Sequence, residues 1–591
     1  MLAYRKEIDG LRAIAVIAVL LFHADYLPKG YLGVDIFFVI SGYLITRIIT
    51  QQLHDGSFSL LHFYERRIRR IVPMLLLVSI IALAIGYFTL LPDDLENLSE
   101  SVIATTFFSN NVLLFLTRNY WDTANAFKPL MHTWSLGVEE QFYLVFPLLL
   151  MVLHRFCKLK TRITIILFCI IASFGSHFFM PKSTMHFYLV SARFYQLAIG
   201  ALLVSLPRAL PSIKTSIVSF ASFVCVLLLL LLPFKAQPFT LSVAATCFTA
   251  SLVYFYHNSL AFILENKVVQ FIGKISYSLY LWHHLVFCLF RLTYQPIITT
   301  PQYLLLTCCI ICLATISYYA IEQPFRKKQL VSTKLLLVIT IAASIALVLA
   351  ATYIYKLKGI VKNIPEMDIY LGKPVNTNSY IAYNERVYNM NVPFTISSKK
   401  KLLVIGNSYS RDFVNMLLEN NYSDSFEISF NPKFNTIETK LRISQADFVI
   451  IGCPIDSLYL NKFCKANKLD KSKILIVGTK NFGSNISWVF NTTTPNTRCA
   501  VRVPMESIYI PANNRYKLQH PNRYVDLIGL LIDQNNHVPV FTPQCKLMSQ
   551  DCKHLTQDGA KYLGSLLKND STFKYFLAHL DAFSVKWKYN D

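Results

Sequence analysis

The chain has 591 residues, 54% of them hydrophobic and 15% charged, with a mean hydropathy of +0.41. Soluble domains carry about 25% charged residues, which argues against a purely cytosolic enzyme, and the length exceeds what one hydrophobic core organises, so at least two domains are expected. Lys and Arg total 57 against 34 Asp and Glu, a formal charge of +23; on a membrane protein such an excess marks basic cytoplasmic loops, and no nucleic-acid partner is expected.

Apolar stretches long enough to cross a bilayer core, roughly 20 residues, fall near 8–27, 31–50, 71–91, 137–154, 163–180, 187–206, 215–233, 238–257, 276–294, 302–321 and 333–355. The stretch 101–117 is also apolar, but its short length and Asn110 and Asn111 read as an interfacial or re-entrant segment. With the N-terminus cytoplasmic, the inside loops hold Arg66, Arg67, Arg69 and Arg70, then Arg155, Lys158, Lys160 and Arg162, then Arg208 and Lys214, then Arg326, Lys327, Lys328 and Lys334. Asp93, Asp94, Glu96 and Glu100 then fall outside. The positive-inside rule therefore favours an odd number of spans and a C-terminus outside. No small-residue cleavage site follows the first span, which reads as a retained helix.

After Tyr355 the composition turns polar. The expected organisation is a membrane domain over 1–330, an eleventh helix over 331–356, a linker or small subdomain over 357–399, and a soluble domain over 400–591. Leu402–Ile405, Asp447–Ile451, Lys473–Val477 and Val538–Phe541 read as buried strands separated by helix-length segments, the pattern of a parallel sheet covered on both faces. Eight cysteines from Cys157 to Cys312 lie in or beside apolar helices and read as small buried hydrophobes. Cys453, Cys464, Cys499, Cys545 and Cys552 belong to the soluble part; if it is exported, one or two disulfides are expected, with Cys545–Cys552 the preferred pair. No His/Cys spacing resembles a metal site.

Arg12 and His23 fall within the first span, where uncompensated charge is costly and marks a site. Eleven residues at about 100° each return to nearly the same direction, so both side chains share one face, roughly 16 Å apart along the axis. They cannot grip one atom together, but they can line one path; the plainer alternative is a snorkelling arginine and a helix-end histidine. Asp35, opening the second span, is a possible partner for His23, and Glu139 is another intramembrane carboxylate. In the arginine cluster, Arg66 and Arg69 either anchor the loop to anionic lipid or bind the phosphates of a nucleotide-bearing donor.

Several of these residues sit in a recognisable order. Ile8-Asp9-Gly10-Leu11-Arg12 with His23, Gly33 through Tyr43, Phe63-Tyr64 with Arg66-Arg67 and Pro73 come first. His132-Thr133-Trp134-Ser135-Leu136 through Glu139, Gln141, Phe142 and Tyr143, then Tyr280-Leu281-Trp282-His283 and Glu322-Gln323-Pro324-Phe325-Arg326 follow. Over about 320 residues this resembles the membrane acyltransferase-three family, whose hallmark is an arginine, ten residues, then a histidine. The resemblance implies ten helices that take an acyl group, usually acetyl, from cytoplasmic acyl-CoA and deliver it to a sugar hydroxyl at the outer face. It also favours Arg12 and His23 as catalytic residues over the plainer alternative.

In the soluble part, Gly406-Asn407-Ser408 follows a strand and opens a helix, a position that exposes a nucleophilic serine and presents backbone N–H groups to an oxyanion. Asp551 and His554 lie three apart before a helix starting near Gln557, so the carboxylate can orient the imidazole while the imidazole takes the serine proton. Together they resemble the SGNH hydrolase-like domain, a three-layer α/β fold, that some acyltransferase-three proteins carry after an eleventh helix. The usual Gly-Asp-Ser-His block is altered here by Asn407 and Tyr409, which changes the neighbours of Ser408. Gly452 and Asn481 match the usual oxyanion positions loosely, and Asn481 reads equally as a donor or as an ordinary loop residue.

Two function classes follow. One is a transmembrane O-acyltransferase with acetyl-CoA as donor, no bound cofactor, and an envelope glycan as acceptor, a lipopolysaccharide O-antigen or core sugar being favoured. The other is a membrane permease with an appended extracytoplasmic carbohydrate esterase. Either would reside among the lipids of a bacterial inner membrane, N-terminus in the cytoplasm and C-terminal domain in the periplasm.

Overall fold

The structure is a computed structural model, and it describes residues 4–117, 125–179, 185–207, 212–233, 235–360, 366, 379–395, 398–452 and 457–578. Cys453, Arg208 and much of the segment 357–399 lie outside the described residues. The chain forms two compact units, one comprising Met1–Phe88, Leu95–Arg291 and Ile297–Tyr355, the other Thr89–Asp94, Leu292–Pro296 and Lys356–Asp591.

The first unit is helical. Helices occupy all eleven stretches read from the sequence: Lys6–His23, Gly33–His54, Leu60–Thr89, Trp134–Phe156, Leu159–Phe179, Val190–Leu202, Ile213–Leu231, Pro238–Phe255, Lys267–Thr293, Thr300–Ser317 and Thr333–Lys356. Eight helices are long and apolar enough to cross a membrane, among the described residues. The other three of the eleven depart from a plain apolar span for visible reasons. Lys6–His23 carries Lys6, Glu7, Asp9 and Arg12, Lys267–Thr293 carries Lys274, His283, His284 and Arg291, and Val190–Leu202 is only 13 residues long. The stretch 101–117 is not one span: Pro92–Thr106 and Asn110–Thr117 are separate helices. Asn110 donates its amide to Leu130 O at 2.9 Å and Thr133 Oγ1 at 2.8 Å, and Asn111 donates to Tyr188 O at 3.1 Å. Protein acceptors thus take the amide donors of both asparagines, as polar side chains at membrane depth require.

The second unit is built on strands β1 (Lys400–Ile405), β2 (Phe426–Asn431), β3 (Phe448–Gly452), β4 (Ile474–Val477), β5 (Arg502–Pro504), β6 (Tyr524–Val525) and β7 (His537–Pro539). Five of them form a parallel sheet in the order β2-β1-β3-β4-β6. Alternate residues feed two cores. Leu402, Val404, Phe448, Ile450, Leu475 and Val477 join Phe413, Met416, Leu563 and Phe573 on one face; Leu403, Ile405, Val449, Ile451, Ile474 and Ile476 join Leu460, Phe463 and Tyr516 on the other. Burial on both faces is why β1, β3 and β4 read as continuous apolar runs. The expected strand Val538–Phe541 does not enter this sheet: β7 pairs antiparallel with β5 in a separate two-stranded sheet. Its run is too short and too mixed with Pro539 to supply a ladder in a central position.

The disulfide also differs from the expected pair. Cys499 is bonded to Cys545, with Cα atoms 4.9 Å apart. Cys552 is a free thiol, 4% exposed within the core, and burial pushes its pKa well above the usual value. An apolar position on the core side of the Asp551–His554 turn keeps its sulfur from solvent and from Cys545.

Candidate functional site

Within the helical unit, a cavity with about 970 Å³ of empty space, counting its open mouth, is bounded on one side by Arg12, Arg67 and Arg70 and elsewhere by Ile40, Leu44, Ile45 and Ile48. Glu139, Tyr143, Ser135 and Tyr280 are among the other polar residues of the wall. Arg12 donates to Asp9 at 3.1 Å, one helical turn before it, and Arg67 stacks toward the Tyr143 ring at 5.7 Å. The buried Arg67 Nε has no hydrogen-bond partner among the described residues. Glu139 accepts hydrogen bonds from Ser41 and Tyr143. A concave site with three guanidiniums and an aliphatic wall suits a ligand with phosphates at one end and an apolar chain along the other.

His23 lies in a cluster of imidazoles beside this cavity. Its ring centroid is 4.6 Å from that of His284 and 5.2 Å from that of His283. His132 stands 5.2 Å from His284 and 5.5 Å from His283. The cavity-lining Tyr280 connects the two regions: its ring is 5.2 Å from His283, its hydroxyl donates to His132 O at 2.8 Å, and Ser135 Oγ lies 2.6 Å from it. His132 Nδ1 and Nε2 and His283 Nε2 are buried without hydrogen-bond partners among the described residues. Arg12 and His23 thus serve neighbouring places, the cavity wall and the histidine cluster.

Three expected residues are placed elsewhere. Asp35 does not meet His23; it accepts from Arg193 Nη1 at 3.1 Å, from Ser242 Oγ at 2.6 Å and from the amide of Gln196. The Gly33–His54 helix packs along Val190–Leu202, which turns Asp35 toward an arginine held between Trp134 and Phe187. Arg69 is fully engaged with Glu65 at 2.9 Å, Phe325 O at 3.1 Å, Val331 O at 2.7 Å and Thr333 Oγ1 at 3.2 Å. Arg66 is exposed and donates to Gln52 Oε1 at 3.2 Å. From this cluster the guanidiniums at the cavity are therefore Arg67 and Arg70, on the adjacent face of the same helix.

Within the second unit, β1 ends at a turn through Gly406, whose φ of +139° favours glycine. Asn407 caps the Ser408–Glu419 helix, its side chain accepting from Tyr409 N at 3.0 Å. Ser408 is thereby set at the helix start, half-buried. Its Oγ lies 2.7 Å from His554 Nε2, and His554 Nδ1 lies 2.5 Å from Asp551 Oδ2. Asp551 Oδ1 accepts further from His554 N at 2.7 Å and Lys553 N at 2.9 Å. Burial alone would raise the Asp551 carboxyl, but the His554 ring and these N–H groups outweigh it and hold the pKa below the usual carboxylate range. A carboxylate, an imidazole and a hydroxyl in this line can move a proton from Ser408 to His554 as Oγ attacks a carbonyl carbon.

Sequence reasoning missed the support beneath this line. Asp412, one turn after Ser408, accepts from Leu555 N at 3.0 Å and pairs with the buried Lys480 Nζ at 2.7 Å. Burial lowers the Lys480 pKa, and Asp412 opposes the shift. The Leu555 N–H to Asp412 bond ties the serine helix to the histidine turn, and Lys480 neutralises the buried carboxylate that accepts it. The residues expected at the oxyanion lie nearby, at the end of β3 and in the turn after β4. Asn481 is fully buried; its Nδ2 donates to Gly483 O at 3.1 Å, and its Oδ1 accepts from Gly483 N at 3.0 Å and Glu506 N at 3.1 Å. One hydrogen of its amide closes its own turn. Gly452 ends β3 beside the serine turn, where a Cβ would stand 2.1 Å from Ser410 Oγ.

Residues 5–322 match the family described as Acyltransferase domain. A protein of Staphylococcus aureus strain MSSA476 named as a putative O-acetyltransferase is 33% identical over 352 residues, covering 55% of this chain and 58% of the relative. O-acetyltransferase OatA of Staphylococcus aureus strain NCTC 8325 / PS 47 is 33% identical over 353 residues, with the same shares. The matched region thus spans little more than half the length of these relatives. No solved structure matches the chain. The match covers more than half of the sequence and includes the arginines of the cavity and all four clustered histidines: the chain belongs to the membrane acyltransferase family defined by this domain.

Proposed function

We propose that the chain is a transmembrane O-acyltransferase that takes an acetyl group from cytoplasmic acetyl-CoA and delivers it to a hydroxyl of an envelope glycan. The observation that carries this reading is the cavity: three guanidiniums, one with an unpartnered buried Nε, border an aliphatic wall that runs to Tyr280 and the histidines. Arg12, Arg67 and Arg70 would hold the phosphates of CoA, leaving the thioester to reach toward His23. His23 takes the proton of an acceptor hydroxyl as its oxygen bonds the thioester carbonyl carbon, the C–S bond breaks, the acyl group is left as an ester on the acceptor, and CoA leaves as the thiol carrying that proton.

The second unit supports a further acyl step. Its five-stranded parallel sheet, with Ser408 after β1 and the Asp551–His554 turn before the last helices, supports an SGNH hydrolase-like fold. Ser408 Oγ attacks the carbonyl of an incoming acyl group, and His554 passes the serine proton to the leaving group. A sugar hydroxyl then takes the acyl group by the reverse path, and Ser408 regains its proton. The names of the relatives support O-acetyl transfer. The Cys499–Cys545 disulfide supports an oxidising compartment for this unit, consistent with eleven spans, a cytoplasmic N-terminus, an inner-membrane location and a lipopolysaccharide sugar as acceptor.

The test uses sealed vesicles carrying the full-length chain and radiolabelled acetyl-CoA on the cytoplasmic side. Label in the glycan of the opposite side is expected, and it is lost in His23→Ala. Unlabelled glycan, together with release of acetate from a pre-acetylated glycan, would overturn the reading in favour of a permease with an esterase.

A further inference from the structure

Resting on the reading of His23 as the base, we infer that His284 is the positioning residue that fixes which nitrogen of His23 is free to take a proton. Three hydrogen-bonding groups in line set this tautomer. His284 Nε2 lies 2.9 Å from Lys128 O. A carbonyl only accepts, so Nε2 of His284 carries the hydrogen. His284 is fully buried and has no acidic partner among the described residues, and burial without a counter-charge favours the neutral imidazole. Its Nδ1 is then a bare acceptor. That Nδ1 lies 3.3 Å from His23 Nδ1, so His23 must donate there, and its own hydrogen sits on Nδ1. The lone pair of His23 is left on Nε2.

This is the service a carboxylate gives to a catalytic histidine, holding the ring and its tautomer, performed here by a neutral imidazole whose own tautomer is set by a backbone carbonyl. A neutral partner suits membrane depth, where an extra charge would be costly. The backbone of His23 is fixed as well, since Arg291 donates to His23 O at 3.2 Å while bonding Tyr303 at 2.7 Å. In the proton step, the hydroxyl O–H bond breaks, the proton goes to His23 Nε2, and the imidazolium is stabilised through Nδ1–H to His284. Transfer of the same proton to the CoA sulfur restores the starting tautomer. His284 changes neither charge nor bonding.

Three variants of the full-length protein test this in the vesicle assay. His284→Asn keeps an acceptor oxygen near the position of Nδ1, whereas His284→Leu removes it at similar bulk. The expected result is a fall in kcat of about 10²–10⁴-fold for His284→Leu, with KM for acetyl-CoA unchanged, and recovery of most of that loss in His284→Asn. Equal activity of His284→Leu and the unaltered protein, or equal loss in both His284 variants, would overturn the inference. His23→Ala separates the two levels: a fully active His23→Ala protein defeats the base reading, while an inactive one alongside an active His284→Leu protein defeats only the role of His284. Nitrogen-15 histidine NMR in lipid gives the direct readout. It should find His23 protonated at Nδ1 in the unaltered chain, and protonation at Nε2 instead would overturn the inference.

Discussion

Ser408 Oγ and His554 Nε2 stand 2.7 Å apart although 146 residues separate them in the chain. The contact needs no substrate to form, because Asn407 sets the helix start and Asp412, paired with Lys480, holds the histidine turn through Leu555 N. Ser408→Ala should therefore leave KM for acetyl-CoA unchanged and remove acetylation of the final glycan. Mass spectrometry of the intact enzyme supplied with acetyl-CoA should find an acetyl ester on Ser408. Normal glycan acetylation by Ser408→Ala would mean that the membrane unit hands the acyl group directly to the acceptor.

The low pKa of Asp551 makes a statement about pH. Its folded value lies below the ordinary aspartate value of about 3.9, so the unfolded chain binds the extra proton between the two. The stabilisation is complete above about pH 3.9 and disappears as pH falls through the folded value. Protection factors for hydrogen exchange at the β1 and β3 amides should fall more steeply on acidification in the unaltered protein than in Asp551→Asn. In the assay near neutral pH, Asp551→Asn should lower kcat by about 10⁴-fold, since an amide cannot hold His554 in the productive tautomer as the carboxylate does.

The donor site makes a prediction that turns on helix phase. Arg66 and Arg69 share one side of the Leu60–Thr89 helix, Arg67 and Arg70 the next. Only the second pair lines the cavity. Arg67→Ala and Arg70→Ala should each raise KM for acetyl-CoA by about 10-fold, the loss of one charge-assisted contact, and Arg66→Ala should leave it unchanged. Arg69→Ala should instead reduce the amount of folded protein, because two backbone carbonyls and Glu65 lose their donor. Unchanged KM in both cavity variants would remove the phosphates from this place.

The arginine pairs show where the sequence stops informing. Apolar runs of bilayer length located the helices, since a helix buried in lipid must be apolar for about 20 residues. The same runs say nothing about which arginine of a consecutive cluster faces inward, because that depends on neighbouring helices. Asp35 failed for the same reason: its partner Arg193 lies 158 residues away. The Ser408, Asp551 and His554 line was legible because a strand-end serine and a pre-helical Asp-x-x-His are local patterns. Lys480 and Asp412 carried no local signal, while β2 did: Phe426-Glu427-Ile428-Ser429-Phe430 alternates with the period of a strand. His283 and His284 stand consecutively in an otherwise apolar helix, a visible oddity whose meaning required His23 and His132 to be brought beside them.

The disulfide is checked by partner exchange. Cys499 and Cys545 close a loop with a sequence separation of 46, and such cross-links stabilise by about 2–4 kcal/mol through the unfolded chain. Cys499→Ser should lower the stability of the second unit by that amount and expose a reactive thiol at Cys545. Cys552→Ser should leave the cross-link intact in peptide mapping without reductant. A Cys545–Cys552 peptide in the unaltered protein would contradict the pairing.

Gly452 offers a way to separate packing from catalysis at the serine site. A Cβ there would stand 2.1 Å from Ser410 Oγ, and that hydroxyl is itself fixed by donating to Ile405 O at 3.1 Å in a fully buried turn. The neighbour cannot swing away without losing its acceptor, so Gly452→Ala should destabilise the second unit by about 1–3 kcal/mol, the range for overpacking a core. Removing the obstructing oxygen should relieve much of the clash: Gly452→Ala combined with Ser410→Ala should recover most of the stability lost in Gly452→Ala alone, read by hydrogen exchange at β1 and β3. Glycan acetylation should recover with it if the glycine serves close approach of β3 to the serine turn. Restored stability with acetylation still abolished would instead place the added methyl in the way of the acyl group.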